Sequence, residues 1–280
     1  MESDSELESA LPEQRAAGRR RKRGGSWPAA VGLRLLPFAI VIAIWALLSE
    51  LGIFDPELIP APWTVATALW DGLVTQRDLW GDIGVTLYRA VTGLVIGAAL
   101  GLVVGAAMGQ LKWVATLLDP LISFAFPMPK LALLPLLLVI LGVGDSSLIV
   151  MVTLGAFFPM IVNTFAGVTG VDRVLLWNAR TLGAGRVQQL RTVVLPAALP
   201  HVLSGLRIAS GVSFLLVVAA EMISASSGLG YMIIFSQRNF RPDLMIAGII
   251  LTAALGFIFD RIVARLSGLL LAWQDVSAGA

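Results

Sequence analysis

Six apolar runs, each close to the length a helix needs to cross a hydrocarbon layer, leave this chain few folds to choose from. The predicted spans cover residues 31–48, 85–109, 117–141, 148–168, 202–223 and 244–263. A helical crossing takes about 20 mostly apolar residues. A lipid interior offers the backbone no partners, so a spanning chain must satisfy its peptide groups within helices or within a closed barrel. Barrel strands are short and alternate in polarity, and the long unbroken runs here read as helices instead. Composition agrees: 57% of the 280 residues are hydrophobic and 14% are charged, against about 25% charged in soluble domains. The predicted class is an all-α integral membrane protein with six transmembrane helices.

Charge orients the spans. Fifteen of the 20 Lys and Arg fall on the side that would hold both termini and the polar interval 171–200. Loops with that excess face the cytoplasm, so both termini and the interval are expected there. Residues 1–26 read as a disordered cytoplasmic tail with an acidic start and the basic cluster 19–23, which suits an orientation anchor that attracts anionic lipid. Residues 27–84 read as the first span and an outer interfacial segment carrying Pro56, Pro60, Pro62, Trp63, Trp70 and Trp80. A core of five spans is expected over 85–270, with a short tail over 271–280. The isoelectric point near 9.4 comes from arginines beside spans and points to membrane orientation, not to nucleic acid.

Within the spans a few residues break the apolar pattern. Gly93, Gly97, Gly101, Gly105 and Gly109 recur every four residues, which makes a groove for close packing of another helix; a seam that slides during transport is the other reading. Pro120, Pro127, Pro129 and Pro135 are expected to break the third span, as happens where membrane helices are buried in protein or line a cavity. Lys130 lies in that stretch, where it could line a path or snorkel to the inner surface. Glu221 closes the fifth span; such a carboxylate could gate, pair with an arginine or face water. His201, the single histidine, reads as an interfacial residue.

Several chemistries are excluded. Without cysteine there are no disulfides or thiolate sites, and one histidine leaves no imidazole cluster. None of the three lysines completes a phosphate-cradling G-x-x-x-x-G-K-[ST] loop, since Arg23, Trp113 and Leu131 follow them. No intramembrane relay of Asp, Glu and His is apparent either. Energy for any pumping must therefore enter from another chain.

The interval 171–200 is the place to receive it. It carries Arg173, Arg180, Arg186 and Arg191, and its helical spacing is interrupted at Gly183 and Gly185, which predicts two short helices with a turn between. The run Ala179-Arg180-Thr181-Leu182-Gly183-Ala184 followed by Val193-Val194-Leu195-Pro196 resembles the EAA loop of bacterial ABC-importer permeases. That pattern is Glu-Ala-Ala, three residues, Gly, nine residues, Ile-x-Leu-Pro. Trp177 and Asn178 stand here in place of the Glu and the first Ala, and Val193 in place of the Ile. The resemblance runs from about Leu58 to the C-terminus through LALLPLLLVIL at 131–141, Ala156 to Pro159, Asn163-Thr164, Gly205 to Arg207 and Ala220 to Met222. It is similar to the nitrate, sulfonate and taurine permease subfamily.

The resemblance implies a type I importer permease, not itself an enzyme, in the bacterial inner membrane. It implies a homodimer that works with two ATP-binding subunits and an extracytoplasmic solute-binding protein, with ATP and magnesium held by the partner ATPase and no cofactor in this chain. Ala179, Arg180, Thr181, Leu182, Gly183, Ala184, Arg186, Leu195 and Pro196 would couple to the ATPase. Lys130, Asn163 and Glu221 would be candidates for the translocation path. A small oxyanion such as an alkanesulfonate, taurine or nitrate is the implied solute, and similar permeases move thiamine-precursor pyrimidines, riboflavin and aromatic acids. An ion-coupled transporter and a transport-inactive scaffold are the readings outside that family.

Overall fold

The glycines spaced by four mark the closest helix contact in the computed structural model, which describes residues 27–53, 55–76 and 78–271. The tail predicted at 1–26 lies outside the described residues, as does the tail at 271–280 apart from Leu271. Every regular element among the described residues is helical. The chain divides into two units between residues 54 and 55.

The first unit contains α1 (Trp27–Glu50), which encloses the first predicted span. Its helix is closed by backbone bonds at Leu51, Gly52 and Ile53.

The second unit begins with α2 (Pro62–Trp70), started by a proline at a position that needs no N–H and extended by a π-helical turn, Asp71–Thr75. The outer segment grouped above with the first span thus belongs to the core unit, where α2 packs on the last helix.

Five elements then build the core: α3 (Leu79–Gln110), α4 (Lys112–Ala125), a 3-10 turn (Lys130–Leu133) leading into α5 (Leu134–Leu141), and α6 (Asp145–Thr169). Here the glycine stripe settles into α6. A Cβ on Gly97 would stand 2.4 Å from the Thr153 carbonyl oxygen, and one on Gly101 2.5 Å from Met160 Cβ and 2.7 Å from the Phe157 carbonyl oxygen. Carbon cannot approach so closely, so only glycine lets α3 and α6 lie this near. The stripe is used for close packing inside one subunit.

The third predicted span is a bent pair. α4 and the Lys130–Leu141 segment meet at 92° across residues 126–129. Of the four prolines expected to break it, Pro127 and Pro129 sit in the break, Pro120 rides inside α4, and Pro135 opens α5.

Beyond α6 come α7 (Arg173–Thr181), the one-turn α8 (Arg186–Gln189), a π-helical turn (Leu190–Val194) and α9 (Leu195–Ser224). The last three form one continuous helix of 39 residues. This corrects the boundary expected at Pro196 and Pro200. The wider π-helical turn lies immediately before Pro196, where a regular turn would meet the proline ring and its missing N–H, so the helix continues through. Last come α10 (Leu229–Arg238), which no apolar run predicted, and α11 (Pro242–Leu270).

By length and composition α3, α6, the α8–α9 helix and α11 can each cross a membrane, and the bent pair can add a fifth crossing. Their shared core is Ala90 and Leu94 of α3, Val152, Ala156 and Met160 of α6, Val202, Ala209, Phe214 and Val217 of α9, and Phe259 of α11.

Candidate functional site

The polar interval that begins at Val171 forms one end of this core. Asp172 caps α7, its carboxylate accepting from the Val174 N–H at 2.8 Å. α7 ends at Gly183, whose φ of +81° is easy only for glycine, and the turn is closed by the Gly183 N–H to the Arg180 carbonyl at 2.9 Å and the Ala184 N–H to the Ala179 carbonyl at 3.0 Å. Gln189 ties α8 back, its side-chain amide donating to the Ala184 carbonyl at 2.7 Å. These local bonds close the bend, while Leu176, Leu190 and Val193 on either side of it pack against Val168, Val171, Val194 and Ala198.

α7 buries none of its side chains. Leu182 is 87% exposed and Trp177 61%, and Val174, Leu175 and Val187 are exposed beside them. Arg180, Thr181 and Arg186 also point outward, while Ala179 and Ala184 are half-buried within the turn. Leu195 and Pro196 lie one to two turns further along the rigid α8–α9 helix and are exposed at its surface. Exposed apolar side chains clustered with arginines on a locally closed turn have the chemistry of a docking surface.

The far end of the core holds a charge cluster. Arg89 is 3% exposed and Glu221 1%. The guanidinium donates to Glu221 at 2.8 Å, to Asp145 at 2.8 Å, to the Ser227 carbonyl at 2.8 Å and to Ser227 Oγ at 3.1 Å. Thr86 Oγ1 donates to the Glu221 carboxylate at about 3 Å and accepts from the Leu229 N–H at 2.9 Å. The Gly230 N–H donates to Glu221 at 3.0 Å, and the Gly228 N–H to Asp82 at 2.7 Å. Three carboxylates thus face one arginine, and the first N–H groups of α10 supply the rest of the positive field. The cluster joins α3, α6, α9 and α10 with its buried donors satisfied, the condition for keeping charge inside a protein.

Glu221 was expected to gate, to pair with an arginine or to face water; it pairs with Arg89. Its side chain has no exposed surface, so in this conformation it binds helices together and is closed to a passing solute. Asn163 is half-buried on α6, donates to the Pro159 carbonyl at 2.9 Å and packs against Gly205. Lys130 sits at the end of the bend after α4, with its ammonium over the rings of Phe126 and Phe158 at 5.2 and 5.0 Å. The structure gathers the loop residues into one turn and leaves Lys130, Asn163 and Glu221 in separate surroundings.

Sequence reasoning missed Arg89, Thr86, Asp145, Asp82 and Ser227. Arg89 carried the signal: an arginine four residues inside a predicted span needs an internal partner, yet it entered only the count of outer charges.

Several membrane-length helices ending in an exposed turn of apolar and basic residues define a multi-pass helical membrane protein. Residues 93–270 match the family described as the binding-protein-dependent transport system inner membrane component, and the chain belongs to that family. It is a non-catalytic, multi-pass inner-membrane permease subunit of an ABC importer. A protein of Bacillus subtilis (strain 168) named as an aliphatic sulfonates transport permease, SsuC, is 36% identical over 98% of this chain and 99% of its own. The protein of the same name from Escherichia coli (strain K12) is 37% identical over 86% and 93%. The taurine transport system permease TauC of that strain is 34% identical over 89% and 92%. Among solved structures, the MetNI methionine ABC transporter in an inward-facing conformation aligns with TM-score 0.55 at 22% identity, over 75% of this chain and 98% of that one. That likeness shows the fold, a type I ABC-importer permease.

Proposed function

We propose that the chain imports an organic sulfonate or taurine-like anion as one half of a homodimeric permease, driven by two ATP-binding subunits and supplied by an extracytoplasmic solute-binding protein. The solute class is supported by relatives named for aliphatic sulfonates and taurine along most of the chain. Both termini and the coupling loop face the cytoplasm in this reading, as the arginine and lysine distribution favours. ATP and magnesium belong to the partner ATPase.

The observation that carries the mechanism is the unpacked turn at Gly183 on the end of a 39-residue helix. Trp177, Leu182 and Val187, with Arg180 and Arg186, sit in a cleft of the ATPase subunit. When ATP draws the two ATPases together, the loops move with them. Pro196 and the continuous α8–α9 helix carry the displacement toward Glu221 and the charge cluster, shifting the dimer between inward-open and outward-open forms. Lys130 and Asn163 belong to the solute path in this reading.

The test is affinity purification of the chain from its native membrane in mild detergent, followed by mass spectrometry. An ATP-binding subunit in equal amount is the expected companion. Recovery of the chain alone, even after cross-linking, would overturn the ATP-driven reading.

A further inference from the structure

Lys130 is a cation beside the middle of a membrane-length helix, with no counterion among the described residues. Phe158, under its ammonium, lies near the middle of the 25-residue α6, about 20 Å along the axis from the Asp145 end. Among the described residues no carboxylate stands within 4.0 Å of the amine. One of its N–H groups is used on the carbonyl of Phe126, one turn earlier in its own chain. The ring faces of Phe126 and Phe158 hold the charge within the distance at which a cation is attracted to an aromatic face. Two N–H donors remain.

The side chain is only half-buried, so it meets whatever lies outside the subunit. If that were lipid, the charge would cost about 2.5 to 3.5 kcal/mol by insertion scales. Its backbone directly follows a 92° break, and broken helices at membrane depth occur where they are covered by protein or line an aqueous cavity. Arg89 shows how this fold treats a cation that serves structure: it is surrounded by carboxylates and sealed. Lys130 has none of that.

Resting on the import reading above, we propose that Lys130 is the permease's own anion contact: its ammonium, seated on Phe126 and Phe158, lines a water-filled path between two copies and binds the anionic group of the solute in transit. The ligand class is a small oxyanion, with sulfonate oxygens accepting the two free N–H groups. Charge selection would then occur in the membrane subunit as well as in the binding protein.

The absence of cysteine from this chain makes a direct experiment available. The complete importer is reconstituted in vesicles with the wild-type chain, Lys130→Met, Lys130→Arg or Lys130→Cys, and uptake of labelled ethanesulfonate is measured. Lys130→Met should take up at least tenfold less, with an unchanged or higher melting temperature because a costly charge is gone. Lys130→Arg should keep about half of the uptake or more. Lys130→Cys should be inactive, should react with water-soluble thiosulfonates, and should regain uptake with the aminoethyl reagent but not with the sulfonatoethyl one. Full uptake by Lys130→Met would overturn the proposal, as would a lowered melting temperature in step with lost uptake, which marks a structural anchor. If the wild type does not take up ethanesulfonate, the sulfonate reading fails, and Lys130 is decided separately by the thiol: labelling keeps it on the path, and no labelling in any nucleotide state removes it.

Discussion

The two ends of the core are built on opposite plans. At one end, Arg89, Glu221, Thr86 and Ser227 put charge and hydrogen bonds inside the protein, and at the other, Trp177, Leu182 and Val187 put apolar surface outside it. Each departs from the usual rule of polar outside and apolar inside, and each departure has its own meaning. Buried charge whose donors are all satisfied is internal joinery, since every partner is in the same chain. Exposed apolar surface on a turn closed by its own backbone has the chemistry of a docking surface, which the proposed function assigns to the ATP-binding subunit. The far end is therefore where this chain holds itself together, and the loop is where, in the proposed reading, it is held.

The sharpest way to break that contrast is Glu221→Ala. It strips Arg89, Thr86 and the Gly230 N–H of their common acceptor and leaves a buried guanidinium short of charge, so a loss of about 3 to 5 kcal/mol is expected in detergent unfolding. Adding Arg89→Met should recover part of it, because Asp145 is half in water and tolerates the loss. A Glu221→Ala protein as stable as wild type would show that the cluster is not structural.

Gly97→Val tests the seam between the two ends. Its Cβ meets the Thr153 carbonyl, and overpacking of this kind costs about 1 to 3 kcal/mol. Lower thermal stability with loop docking intact is the expected result.

Gly183→Val moves the test to the loop. There is open space around the new side chain, so the cost is the left-handed backbone alone, about 1 to 2 kcal/mol confined to the turn. Membrane insertion should persist, while ATP hydrolysis stimulated by loaded binding protein is lost. Undiminished coupling would sink the role given to the loop. Smallest in stability is Trp177→Ala, expected within about 0.5 kcal/mol of wild type because the ring touches little of its own chain. Its affinity for the ATP-binding subunit should fall about tenfold, as for an aromatic interface anchor.

Much of this was legible in the residues. Apolar runs located the four helices, five with the bent pair, that can cross a membrane among the described residues, because hydrophobic length is local information, and Gly183 with Gly185 announced the turn, because a left-handed residue is a local demand. Glycines at every fourth position announced a close contact without naming its partner. The far end was hidden for a related reason: Arg89, Asp145, Glu221 and Ser227 are scattered over 139 residues, and nothing local says they converge. A seven-residue stretch rich in Ser and Gly after Glu221 concealed the start of α10, whose N–H groups complete the cluster.

By itself the sequence determined the membrane class, the number of apolar runs, the place of the turn at Gly183 and the family, since each depends on composition or short spacing. Only the tertiary structure decided that the glycine stripe belongs to α6, that Pro196 and Pro200 ride inside one helix, and that Glu221 is sealed by Arg89 while Lys130 stays open. Those outcomes depend on which faces meet, and a helix face acquires its partner only when distant segments are brought side by side.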